Sequence, residues 1–263
     1  TDMLVQVTGH AEPGKAIPVT SKVLFKSRYA IVTPDAPGLN VSRSIKDDDL
    51  RDALLEVAHE LMAGSSMGLI LRSACAEADL ADVAEDIAEM RTLAEAVTAD
   101  ATGAPELLLA GDGPHTLAWR DWIEPAQIES EAGSFDRLGV LDALDTLDGP
   151  VDLAGGGSMW VEPTRALVAV DVNTGADTSP AAGLRANIAA VRDLPRQLRL
   201  RGLGGQIVLD LAPMPKKDRR TVESALKAAM RACPVDTTLV GWTTLGHIEL
   251  HRKRDRCPTQ AVL

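Results

Sequence analysis

The sequence predicts an α/β fold, a mixed or parallel sheet covered by helices. Two observations predict it. In the second half of the chain, apolar runs and helical stripes alternate as strand, strand, helix, strand, helix, strand. The chain is also large and apolar enough for one large domain or two small ones, at 263 residues with 45% hydrophobic and 25% charged. No internal repeat or low-complexity tract interrupts the pattern.

Residues 1–7 end in strand-like residues with no turn before them, as though a β-domain had been cut into. Residues 15–34 alternate polar and apolar, with strand-like Val23–Phe25 and Tyr29–Val32, and Pro34, Pro37 and Gly38 mark a turn. Asp47–Ala63 is a predicted helix, because Leu50, Ala53, Leu54, Val57, Ala58, Leu61 and Met62 share one face. Asp47, Asp48 and Asp49 suit the positive end of its dipole. Gly64 closes it. Met67–Leu71 reads as a buried strand ending at Arg72 and Ser73, and Asp79–Thr98 as an acidic helix with a solvated face. The stretch 101–157 is the least regular, with a strand expected near Glu106–Ala110 and a short helix near Asp136–Leu147.

The main boundary is expected at about 150, where the charge balance changes. Beyond it, Ser158–Val161 and Leu167–Val172 read as paired strands, and Arg185–Arg201 as a helix that Pro195 is expected to kink or divide. Gln206–Leu211 is a continuous apolar strand. Lys216–Arg231 is a helix buried through Val222, Ala225, Leu226, Ala229 and Met230, and Thr238–Val240 is a further short strand.

Composition excludes several classes. No apolar run approaches the ~18 residues of a membrane span, and no signal peptide is expected. Cys75, Cys233 and Cys257 are an odd count without a C-x-x-C pair, which argues against a disulfide framework or a self-contained zinc site. A reducing, cytoplasmic setting fits. Two Phe, one Tyr and four Trp are too few for a row of base-stacking platforms. The net charge of −11 hides an asymmetry. Residues 1–150 hold 11 basic and 27 acidic side chains, and residues 151–263 hold 16 and 11. A polyanion would bind the second half.

Asp171 and Asp210 each follow an apolar run and fall at a strand's carboxyl end, where ligands gather in open α/β sheets. If the strands are neighbours, the carboxylates converge and need a cation between them. Hard oxygen ligands suit Mg²⁺, and Asn173 can add a neutral oxygen. The alternative is a turn at Asp171–Gly175 and a helix cap at Asp210. Basic groups at Arg192, Arg196, Arg199 and Arg201, at Lys216, Lys217, Arg219 and Arg220, and at Arg252, Lys253, Arg254 and Arg256 offer phosphate contacts, two of them expected to flank the carboxylates. Their alternative is solubility and surface ion pairs. The glycine runs 155–157 and 202–205 read as turns before strands rather than phosphate loops. The five histidines show no metal or triad spacing.

Leu153–Val161 (LAGGGSMWV), Leu167–Gly175 (LVAVDVNTG), Arg196–Leu211 (RQLRLRGLGGQIVLDL) and Leu245–Arg254 resemble the catalytic region of the ribonuclease E/G family. Met67–Ser73 and, more loosely, Met3–Pro34 extend the resemblance. It implies an OB-fold remnant over 1–33, a 5′-sensor-like segment over 34–73, a reduced connecting (DNase I-like) region over 74–150, and an RNase H-like mixed sheet with flanking helices over 151–263. It implies that Asp171, Asn173 and Asp210 hold Mg²⁺, with Mn²⁺ as a substitute, and that single-stranded RNA is hydrolysed to 5′-phosphate and 3′-hydroxyl ends. It assigns the RNA 5′-monophosphate to Arg72, Ser73 and the backbone near Ile31, and an RNA contact to Lys15. Arg196, Arg199 and Lys216 join them as RNA-binding candidates.

The sequence departs from the family in several places. An acid before the first metal strand is Arg165 here, an acid after the later Asp is Pro213, and the loop after Asn173 is shorter. Cys257-Pro258-Thr259-Gln260 keeps one cysteine of the zinc-sharing C-P-x-C, so zinc is not expected, and a homo-oligomer would not use that link. The alternative function is a catalytically weak RNA-binding or regulatory relative.

Overall fold

The computed structural model describes residues 3–11, 14–122, 124 and 126–262. The extended start expected over residues 1–7 falls partly outside them, at residues 1 and 2. The chain forms two compact units, one of residues 1–8 and 17–128 and the other of 9–16 and 129–263. The changeover lies upstream of the charge change at about 150. Both units are α/β, as the sequence predicts, and among the described residues no helix is long and apolar enough to cross a membrane.

In the first unit, β1 (Gln6–Val7) and β2 (Val19–Thr20) form a small antiparallel ladder. β3 (Phe25–Lys26), β4 (Ala30–Thr33), β5 (Leu39–Val41) and β6 (Gly68–Leu71) form a mixed sheet ordered β3-β4-β6-β5. The parallel pair β5–β6 needs a crossover, and α1 (Asp48–Leu61) supplies it. The Asp47 carboxylate accepts from the Leu50 amide at 3.0 Å and so caps α1. α2 (Leu80–Ala99) buries Val83, Ile87 and Ala94 in the same core as Leu54, Leu69 and Leu71. α3 (Pro114–Asp121) follows. Residues 106–110, expected as a strand, have no regular structure. Leu107 and Leu109 are exposed there, so no apolar face is available to hold a strand.

The second unit begins with the short helices α4 (Ser134–Arg137) and α5 (Val140–Asp145). Its core element is a six-stranded mixed sheet ordered β11-β12-β10-β9-β8-β7. The strands are β7 (Val151–Asp152), β8 (Ser158–Pro163), β9 (Val168–Asn173), β10 (Gly205–Asp210), β11 (Thr237–Trp242) and β12 (Ile248–Arg252). α6 (Pro180–Leu200) connects β9 to the parallel β10, and α7 (Arg219–Arg231) follows β10. Ser179 caps α6, accepting from the Ala182 amide at 3.2 Å, and Pro180 opens it. Pro195 does not divide α6 into two helices. It is buried between Leu194 and Leu198, and packing of that face on the sheet outweighs the lost backbone bond.

Strand residues alternate in burial. Met159, Val161, Val170, Val172, Ile207, Leu209, Ile248 and Leu250 face the core with α6 and α7. The opposite face carries Trp160, Asp171, Asn173, Gln206 and Asp210.

Candidate active site

Asp171 and Asp210 are register partners on the parallel strands β9 and β10. Neighbouring strands lie about 4.8 Å apart and registered residues point to one face, so the two carboxylates stand side by side. Both are exposed. The Asn173 amide donates to Asp171 Oδ2 at 2.6 Å. Among the described residues no group of three His, Cys, Asp or Glu side chains is arranged to hold a metal. The oxygen set is therefore two carboxylates and an amide. That is too few for a full protein cage and suits a hard cation that keeps several waters, as Mg²⁺ does.

The loop after Asp210 is held from behind. Asn187 of α6 is fully buried, donates to the Ala212 carbonyl at 2.8 Å and accepts from the Ala212 amide at 2.9 Å. One helical turn earlier, Gly183 lies so close that a Cβ there would sit 2.3 Å from the Pro213 carbonyl oxygen. Gly157 plays the matching part at Asn173, where a Cβ would meet the Asn173 carbonyl oxygen at 2.2 Å and its φ of +90° suits glycine alone. The sequence reading missed Asn187, because a lone Asn in a helix resembles any polar position. It also passed over His247, whose Nε2 lies 3.5 Å from Asp210 Oδ1. The β10–β12 ladder brings them together, and no sequence spacing encodes that.

The basic candidates divide. α6 packs on the sheet face opposite Asp171 and Asp210, so its arginines do not flank the carboxylates as expected. Arg196 makes two bonds to Asp193, at 2.7 and 3.2 Å, and these charges hold the Asp193 carboxyl below the usual range against the opposing effect of burial. Arg199 donates to Cys233 Sγ at 3.2 Å. Arg201 and Arg252 are buried within the unit. Lys216 is exposed and starts a 3₁₀ turn beyond the Asp210 end of β10. Lys15 belongs to the segment 9–16 that joins this second unit.

In the first unit, Arg72 does not aim its guanidinium outward. Its side chain is only 18% exposed. It donates to the Ser27, Arg28 and Arg120 carbonyls and, at 3.0 Å, to Asp121. Lys26 also donates to Asp121, at 2.9 Å, and Arg120 pairs with it at 3.2 Å. Burial opposes ionisation of Asp121, but the bonds from Arg120 and Lys26 outweigh it and hold its carboxyl far below the usual range. Ser73 is exposed beside Arg72. Ile31 lies between Lys26 of β3 and Ile70 of β6, inside the sheet, where ladder bonds occupy the backbone.

The carboxyl ends of β9 and β10 thus carry paired carboxylates, backed by a clamped loop. The Ribonuclease E/G family model matches residues 25–129 and 123–255, and the chain belongs to that family. Ribonuclease E of Nostoc sp. (strain PCC 7120 / SAG 25.82 / UTEX 2576) is 29% identical over 294 residues, covering 96% of this chain and 43% of that protein. Ribonuclease G of Escherichia coli (strain K12) is 28% identical over 305 residues, covering 100% of this chain and 61% of that protein. Ribonuclease E of Synechocystis sp. (strain ATCC 27184 / PCC 6803 / Kazusa) is 27% identical, covering 96% and 44%. The chain thus spans about half the length of these relatives.

Proposed function

We propose that the protein is a Mg²⁺-dependent endoribonuclease that cleaves single-stranded RNA to 5′-phosphate and 3′-hydroxyl ends, in RNA processing or decay. The observation that carries the proposal is the register of Asp171 with Asp210. Family membership supports the substrate class. Mg²⁺ held by the two carboxylates and Asn173, with Mn²⁺ as a substitute, would acidify an attacking water and neutralise charge developing on the scissile phosphate. Asn173 steadies Asp171 through its amide bond. Asn187 and Gly183 hold the chain after Asp210 in place, so its carboxylate has a fixed origin. Lys216, from the same end of β10, offers a cation to neighbouring phosphates. An RNA 5′-monophosphate bound at Arg72 and Ser73 would have to displace the Asp121 carboxylate.

The test is Asp171→Asn and Asp210→Asn on a labelled single-stranded RNA with titrated Mg²⁺. Each is expected to abolish Mg²⁺-dependent cleavage while the melting temperature stays equal or rises. Side-by-side carboxylates in solvent repel by on the order of 1 kcal/mol, and either change relieves this. Retained cleavage in both variants would falsify the assignment. One observation favours a second reading, RNA binding with little turnover: no third acidic side chain joins the pair among the described residues. RNA binding by the wild type without Mg²⁺-dependent products would decide for it.

A further inference from the structure

Trp160 of β8 is the register partner of Asp171, which is in turn the register partner of Asp210. The three side chains therefore form one transverse row on the sheet face away from α6 and α7. Trp160 points away from the core, because its neighbours Met159 and Val161 are buried on the other side. Cross-strand partners on one face hold their Cβ atoms about 5 Å apart, which places the indole directly beside the first carboxylate. Its neighbours on this face are Ser158 and Glu162 along the strand and Ala169 and Asn173 diagonally across the ladder. The indole N–H has no protein partner among the described residues, although the other buried or half-buried indole, Trp242, donates to Glu223. A partly exposed aromatic ring thus stands beside the carboxylate pair.

From this placement we infer that Trp160 is a base-stacking platform. It would hold the unpaired base of a nucleotide flanking the scissile phosphate, and it would prefer the larger purines. This rests on the endoribonuclease reading above. A phosphate at Asp171 and Asp210 would put the adjoining nucleoside within one strand spacing of the indole, and every base has a face to stack. A single platform gives a positional preference at the cleavage site where a row of them would give general affinity.

The experiment uses the full chain with Ca²⁺ in place of Mg²⁺, so that a cation can seat the phosphate between the carboxylates while binding is read ahead of cleavage. Wild type, Trp160→Ala and Trp160→Phe are titrated against two labelled oligonucleotides of equal length, one ordinary single-stranded RNA and one abasic. Trp160→Ala should bind ordinary RNA about 5-fold to 100-fold more weakly. Trp160→Phe should stay within about threefold of wild type, since a smaller aromatic still stacks. The abasic strand should bind all three proteins alike. RNA should quench the tryptophan emission of the wild type, and Trp160→Phe should lose most of that quench. Equal binding of ordinary RNA by wild type and Trp160→Ala would overturn the platform. So would an equal loss on both oligonucleotides, which marks a structural role. If Trp160→Ala does not fold, the quench lost or retained in Trp160→Phe decides. Wild-type cleavage with an unaffected Trp160→Ala would sink this inference alone, whereas a wild type that neither binds nor cleaves RNA would sink the function with it.

Discussion

The Asp121 carboxylate accepts from Lys26 and Arg72 and pairs with Arg120, so one acid ties together a knot of three cations. The family resemblance assigns Arg72 to an RNA 5′-monophosphate. The structure gives it a partner from α3 instead, a distant segment without a strong pattern of its own. The arrangement has a pH signature. The folded carboxyl titrates far below its ordinary value of 3.8, because hydrogen bonds from Arg120 and Lys26 outweigh its burial. A depressed folded value means the ionised form stabilises the fold. That contribution is complete above the unfolded value and fades as pH falls through about 4 and below. The melting temperature should therefore drop more between about pH 5 and pH 2.5 in wild type than in Asp121→Asn, which starts lower and lacks this titration. Parallel curves for the two proteins would show that the knot contributes nothing.

At the scale of elements, α6 does two jobs with two faces. Its apolar stripe was legible, because Ala186, Ala190, Val191, Leu194 and Leu198 recur at helical spacing and all are buried. Its grip on the Asp210 loop was not legible, because Asn187 bonds to a residue 25 positions away. Asn187→Ala leaves the Ala212 amide and carbonyl buried without partners, and should cost about 2–4 kcal/mol in urea unfolding. Gly183→Ala forces a methyl against the Pro213 carbonyl and should cost about 1–3 kcal/mol. Both should also lower cleavage, since the strand end carrying Asp210 loses its anchor. A stability change under about 0.5 kcal/mol in both variants would contradict the clamp.

For the whole molecule, charge and sidedness make separate predictions. The basic second half should bind RNA despite the net −11, with a log–log salt slope of about −0.7 per phosphate neutralised on a single strand. Only cations on the carboxylate side can follow RNA laid across Asp171 and Asp210. Lys216→Glu should therefore weaken binding and flatten the slope by about 0.7. Arg196→Glu, on the helix side and already paired with Asp193, should change the slope little. The reverse order of effects would place the RNA on the α6 face.

Local pattern determined a good deal here. The helical stripes, the apolar runs ending in Asp171 and Asp210, and the turn glycines each express short-range stereochemistry, and a few neighbouring residues suffice to read them. The family resemblance was likewise legible, since its strings are contiguous. Tertiary structure alone decided the rest. It set Trp160, Asp171 and Asp210 in one row, put the α6 arginines behind the sheet, turned Arg72 inward to Asp121, and joined Asn187 to Ala212. Each of these depends on strand register or helix sidedness. Those are settled by burying the whole apolar set at once, and no window of neighbouring residues contains that information.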